Sequence, residues 1–152
     1  MNLPTNLLVL KCANNNLLFL PELPISLLKL ECQNNLLDKL PNLPPSLTHL
    51  NCSHNQLTTL PATPTSLIRL ECQFNQLVIL YNMSANIITL NCSNNQLKSF
   101  PSNLQHLERL NCKHNKLTNL PKINSLLRLS CGFNKLETIR VNDSLENVIL
   151  ST

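Results

Sequence analysis

Seven cysteines stand at a nearly constant interval in this 152-residue chain, and their spacing restricts the fold more than any other feature. Five steps of twenty residues are followed by one step of nineteen. Self-similarity at a fixed period of this length is typical of repeat architectures, in which each unit packs against its neighbours. The cysteines that define the interval are Cys12, Cys32, Cys52, Cys72, Cys92, Cys112 and Cys131.

Other residues repeat in register with the cysteines. A leucine precedes each cysteine by two places, and an asparagine follows each by three. The unit reads L-x-x-L-x-C-x-x-N-x-L-x-x-L-P and continues into short stretches such as "ELPIS" at 22–26. Residues two apart in an extended segment share a face, so the leucine and the cysteine point inward together. Paired prolines in the return segment, such as Pro21 and Pro24, disfavour helix there.

This unit resembles the leucine-rich repeat, with Cys at the sixth position. Its twenty-residue length and L-P-x-L-P-x-S run are similar to the short repeats of YopM/IpaH-type bacterial effectors. The resemblance extends from Leu3 to about Leu150. It implies an α/β-class leucine-rich repeat solenoid that is in practice mainly β, with about seven full turns and a partial eighth. A parallel sheet is expected on one side and an extended, polyproline-like return on the other.

We expect one domain over residues 1–152. The asparagine at the ninth place of each unit should end the strand and bond backbone groups of neighbouring turns that water no longer reaches. The predicted units lie near 7–26, 27–46, 47–66, 67–86, 87–106, 107–125 and 126–144, with a partial unit at 145–152.

The pairs Cys52/His54 and Cys112/His114 offer soft metal ligands, so a metal site is the alternative to a structural role. A zinc site needs three or four ligands around one ion, whereas strands about 4.8 Å apart place the thiols in a file. The sequence therefore predicts no metal. It predicts buried, reduced thiols without disulfides, because side chains on parallel rungs do not point toward each other. Reduced thiols indicate a reducing compartment.

Positions two, three, five, seven and eight of each unit are expected to face away from the core and to form the sheet face. The third position is mainly basic, and the second is apolar in five of seven units. Glu31 and Glu71 each stand two residues after a basic residue on this face, where exposed ion pairs contribute little stability.

An apolar file beside a basic file would suit the docking of a protein. The alternatives are that the second-position residues tuck under the strand edge and that the two phenylalanines at position eight pack over the asparagine turn. The candidate partner-binding residues are Leu28, Lys29, His49, Ile68, Arg69, Glu71, Phe74, Ile88, Arg109, Arg128 and Phe133.

Other functional classes receive little support. The net charge of +4 lies wholly in residues 98–152, and carboxylates at Glu31, Glu71 and Glu108 interrupt the basic file, so nucleic-acid binding is not expected. A single glycine excludes a Gly-rich phosphate loop, and no carboxylate is placed to orient any of the four histidines. We therefore expect no enzyme activity and no cofactor. No apolar stretch approaches 18 residues and no signal peptide is recognisable, so we expect a cytoplasmic protein without a membrane span.

The sequence thus predicts a non-catalytic protein-protein interaction module, and the resemblance implies a host protein, in the cytoplasm of a host cell, as its partner. The alternative is a structural protein that self-associates. The first unit shows no dedicated cap, so its free strand edge and apolar residues Leu3, Leu8 and Val9 would allow homo-oligomers to form end to end. The polar residues expected to serve as a crude cap at the other end are Asp143, Glu146 and Asn147.

Overall fold

The computed structural model describes residues 2–139 and 145–150, which form eight short parallel strands stacked in chain order into one sheet. The mainly β solenoid predicted from the repeat is confirmed, and no helix occurs in the described part of the chain. Asp143, one of the expected cap residues, lies outside the described residues. The strands are β1 (Val9–Lys11), β2 (Lys29–Glu31), β3 (His49–Asn51), β4 (Arg69–Glu71), β5 (Thr89–Asn91), β6 (Arg109–Asn111), β7 (Arg128–Ser130) and β8 (Asn147–Ile149).

The register places equivalent residues of successive units side by side. Leu30 pairs with Leu10 on one side and with Leu50 on the other, and this column continues to Leu129 and Val148. The leucines from β2 to β7 are almost completely buried. Because the side chains of each column stack directly on the next unit, the units form one continuous apolar core rather than separate small ones.

The cysteine column lies inside this core. Six of the seven cysteines are buried, Cys12 in the first turn is half-buried, and all seven are free thiols. Burial raises the pKa of Cys32 and of Cys72 to about 12, because the thiolate would lose its hydration. The thiols therefore act as small apolar side chains that fill the space between the leucine columns.

The asparagines at the ninth position join successive turns, as predicted. The backbone N–H of Leu57 donates to Asn75 Oδ1 over 3.0 Å. The Asn75 amide donates to the carbonyl of Cys52 in the preceding turn and to that of Cys72 in its own turn, each at 3.1 Å. One side chain thus satisfies backbone groups of two turns at the point where the strand ladder stops.

In each of the first seven units a residue in the left-handed region follows the strand by three places, so the strand has already ended before the asparagine that was predicted to end it. The φ angles at position eight lie between 52° and 57° in all seven units. Asparagine tolerates this conformation well, whereas a bulky side chain is strained in it. The position-eight residues are Asn14, Asn34, His54, Phe74, Asn94, His114 and Phe133.

Position seven differs from the sequence interpretation, which placed it on the outward face. Ser53 and Ser93 are buried, and their hydroxyls donate to Oδ1 of Asn51 and Asn91 at 2.8 and 2.9 Å. The prediction is therefore wrong for these two serines. The residue after each of them is in the left-handed conformation, and the small serine side chain lies beneath the edge of the sheet.

Candidate functional site

The third-position side chains form a file across the sheet. The register aligns Lys29, His49 and Arg69 on β2–β4, and Arg109 and Arg128 on β6 and β7, with Thr89 between the two groups. The five basic residues were predicted as candidates from the sequence, and the structure aligns them on one sheet, in which neighbouring strands lie about 4.8 Å apart. Their chemical surroundings, however, differ along the file.

Glu31 neutralises the cations at the first part of the file. Its carboxylate lies 2.6 Å from Lys29 Nζ on the same strand and 3.7 Å from Lys11 Nζ on β1. The hydrogen bond from the Lys29 ammonium, helped by the charge of Lys11, lowers the pKa of Glu31. These groups border solvent, so their pairing neutralises the surface more than it stabilises the fold.

Glu71 is held by two neighbours. The Arg69 guanidinium contacts Oε1 through Nε at 2.7 Å and through Nη2 at 2.5 Å. From the adjacent strand, Asn51 Nδ2 donates to the other oxygen, Oε2, at 3.0 Å. Ser53 N–H donates to Asn51 Oδ1 at 3.1 Å, and this contact together with the Ser53 hydroxyl orients the amide so that its nitrogen faces the carboxylate. A cavity of about 340 Å³ lies over this part of the sheet, between Lys29 and Glu71.

Arg109 and Arg128 have no such partner. No carboxylate of a described residue lies within 4.0 Å of either guanidinium, and both side chains are exposed. Asn111 and Ser130 occupy the position that the glutamates occupy in β2 and β4. The last third of the sheet face therefore presents unpaired positive charge, which is where the sequence places the excess of cations.

The apolar candidates divide into exposed and half-buried residues. Leu28 and Ile68 are 42% and 40% exposed, whereas Ile88 is half-buried. Phe74 and Phe133 are 47% and 54% exposed. The second position is thus only partly tucked under the strand edge, and the two rings remain accessible for contact.

Phe74 and Phe133 each stack on a histidine from the preceding unit. The rings of His54 and Phe74 are 4.2 Å apart, and those of His114 and Phe133 are 4.1 Å apart. The sequence interpretation missed these pairs, although both lie in one column at a separation of one repeat. The histidines beside the cysteines are therefore part of the aromatic surface. No group of three metal-ligating side chains occurs in residues 2–139 and 145–150.

The first turn carries a different kind of surface. Its leucines are less buried than their equivalents in later turns, and they line an apolar cavity of about 480 Å³. Leu18 and Phe19 are 63% and 72% exposed at its rim. No helix long and apolar enough for a membrane span is found in the described part of the chain.

These stacked units define the chain as a leucine-rich repeat protein. No family model matches the sequence, and no curated protein matches it. Solved structures do match, and they show that the repeats are of the YopM/IpaH type.

YopM from Yersinia enterocolitica WA-314 is 31% identical, with a TM-score of 0.96 over 100% of this chain and 34% of its own. YopM from Yersinia pestis, a leucine-rich effector protein, is 34% identical, with a TM-score of 0.91 over 97% of this chain and 44% of its own. The leucine-rich repeat domain of a Shigella effector is 34% identical, with a TM-score of 0.83 over 90% of this chain and 63% of its own. This chain therefore spans less than two thirds of each of these chains.

Proposed function

We propose that this chain is a non-catalytic module that binds a protein partner through the sheet face of the solenoid. The observation that carries the proposal is that the guanidinium groups of Arg109 and Arg128, on adjacent strands, have no carboxylate partner among the described residues. The strand ladder fixes the backbone at both positions, so the two side chains project from the sheet at a defined spacing, and the entropy cost of binding at this point is that of ordering these two exposed side chains. Exposed apolar side chains at Ile68 and Phe133 supply area that a partner can cover.

The similarity to effector repeats supports a host protein as the partner, met in the cytoplasm of a host cell. A reducing cytoplasm is compatible with seven free thiols, six of them buried in the core. Neither a nucleic acid nor a cofactor is part of the proposal, because carboxylates interrupt the basic file and the cavities over the sheet are open and polar.

Affinity capture from a host-cell lysate tests this proposal. The wild-type chain is compared with Arg109→Glu/Arg128→Glu on the sheet face and with Lys39→Glu/Lys98→Glu on the return side, where both lysines are exposed. Partners should be lost only with the sheet-face variant. Identical sets of captured proteins for all three chains would reject the sheet face as the binding surface.

Self-association is a second candidate, because of the apolar cavity of about 480 Å³ at the first turn. A second copy that covers Leu18 and Phe19 would remove exposed apolar surface from water. Static light scattering over a dilution series should then show an average mass that falls on dilution, and Phe19→Ser should abolish the concentration dependence. A mass that stays monomeric at all concentrations would dismiss this candidate.

A further inference from the structure

The same amide and guanidinium arrangement occurs twice on the sheet face, once with a carboxylate and once without. On β3 and β4, Asn51 and Arg69 hold the carboxylate of Glu71. On β6 and β7, Asn111 and Arg128 occupy the corresponding positions. Asn51 is the register partner of Glu71, and Asn111 is likewise the partner of Ser130. The second arrangement differs mainly in having the short side chain of Ser130 where the first has Glu71.

The amides of the second arrangement are oriented as donors. The backbone N–H of Lys113 donates to Asn111 Oδ1 at 3.3 Å, just as Ser53 N–H donates to Asn51 Oδ1. Asn91, on the preceding strand, accepts from Ser93 in the same way. With their oxygens engaged, both amides turn their NH₂ groups outward, and neither nitrogen has a hydrogen-bond partner among the described residues. The surface from β5 to β7 therefore offers several donors to a ligand.

We propose that this surface binds carboxylate side chains of a partner protein. Arg128 and Asn111 hold one of these carboxylates in the same way that Arg69 and Asn51 hold the carboxylate of Glu71. The guanidinium and the amide can then donate to different oxygens, as they do within the chain itself. Arg109 and the Asn91 amide, one strand away, receive a second carboxylate about 4.8 Å along the sheet. Acidic residues four apart on a helix have Cβ atoms about 5–6 Å apart and match this spacing.

Two carboxylates of the chain border the site without filling it. Glu108 and Glu146 stand at position two of their units, and neither approaches the guanidinium of a described arginine within 4.0 Å. Glu146 lines one wall of an open cavity of about 410 Å³, and Arg128 and Ser130 line another. These two glutamates lower the net positive potential, so recognition depends on the geometry of the donors as well as on charge. This inference specifies the ligand of the proposed function and rests on it.

A labelled peptide tests the site directly. Fluorescein-labelled, N-acetylated hexaglutamate is titrated with the full chain at low salt and followed by fluorescence anisotropy, with hexaglutamine as the uncharged control. Loss of a charge-assisted contact in Arg128→Gln should weaken hexaglutamate binding by about tenfold or more. Arg69→Gln is the matched control, because its guanidinium is already occupied by Glu71, and it should change the affinity by less than about twofold.

Two further variants are based on the way in which Glu71 contacts Arg69 and Asn51. Ser130→Glu should occupy Arg128 and Asn111 internally and weaken hexaglutamate binding at least as much as Arg128→Gln does. The double variant Ser130→Glu/Glu71→Ser should regain binding, because it empties the equivalent place at Arg69 and Asn51. Circular dichroism melting curves of each variant confirm that it is folded before the affinities are compared.

Three results would overturn the inference. They are failure of hexaglutamate to bind better than hexaglutamine, unchanged binding by Ser130→Glu, and much tighter binding of a phosphoserine peptide, which would make phosphate the ligand. If hexaglutamate fails while sheet-face variants still lose their captured partners, the carboxylate site is rejected and the proposed function stands. If hexaglutamate binds as expected but capture is unaffected, the proposed function is rejected, and with it the assignment of the ligand to a partner protein, whereas carboxylate binding at Arg128 and Asn111 stands.

Discussion

Replacement of Asn95 by alanine should measure what the asparagine column contributes to stability. Leu77 N–H donates to Asn95 Oδ1 at 3.0 Å, and the Asn95 amide donates to the carbonyls of Cys72 and Cys92 at 3.0 and 3.1 Å. These bonds join two turns of the solenoid in a buried setting. At a net contribution of about 1 kcal/mol for each, Asn95→Ala should lower the free energy of unfolding by about 3 kcal/mol. The loss is larger if no water reaches the orphaned N–H.

Asn15 provides a control within the same column. It is exposed, and its amide donates only to Cys12 and Ala13 of its own turn, at 3.1 and 2.9 Å. Water can replace both contacts, so Asn15→Ala should lower the free energy of unfolding far less than Asn95→Ala does. Asn95→Asp retains the acceptor but sets a carboxylate against two carbonyls, so it should destabilise at least as much as alanine does.

Urea unfolding followed by far-ultraviolet circular dichroism is the suitable assay, since the chain has no tryptophan and a single tyrosine. The three variants and the wild type are compared at neutral pH, with the slope against urea checked for a loss of cooperativity between turns. Equal losses of unfolding free energy for Asn15→Ala and Asn95→Ala would refute the reasoning. They would show that the hydrogen bonds between turns contribute no more to stability than those within a turn.

Two other predictions concern the cysteine column and the left-handed turn. Burial raises the pKa of Cys72 from its ordinary 9.0 to about 12, so its contribution to stability is complete below pH 9 and is lost as the pH rises toward 12. Cys72→Ala should therefore reduce the loss of stability between pH 8 and pH 10 by about 1.4 kcal/mol in urea unfolding, and an unchanged pH dependence would contradict burial of a neutral thiol. At Phe74, where φ is 55°, Phe74→Gly should be more stable than Phe74→Ala by about 1 kcal/mol in thermal melts, because both lose the ring but only glycine is free of strain. The reverse order would exclude strain at this position.

Much of the candidate surface could be predicted because the repeat period is nearly constant. Residues such as Arg109 and Arg128, nineteen apart in sequence, become neighbours as soon as the units stack in register. The ion pair between Lys29 and Glu31 could be expected in the same way, since residues two apart on a strand share a face. The conformation of the turn was harder to predict, because histidine and phenylalanine stand where positive φ favours asparagine.

The sequence by itself determined the stacked solenoid, the leucine and cysteine columns, and the bonds that the asparagines make between turns. It did so because each residue has as its spatial neighbours the equivalent residues one repeat before and after. Only the tertiary structure decided the inward position of Ser53, the stacking of Phe74 on His54, and the hydrogen bond from Asn51 to Glu71. These contacts depend on side-chain rotamers and on distances of a few ångströms between turns, which cannot be read from the sequence. In the same geometry, the Asn111 amide nitrogen and the Arg128 guanidinium have no hydrogen-bond or carboxylate partner among the described residues, and the proposed carboxylate site depends on this.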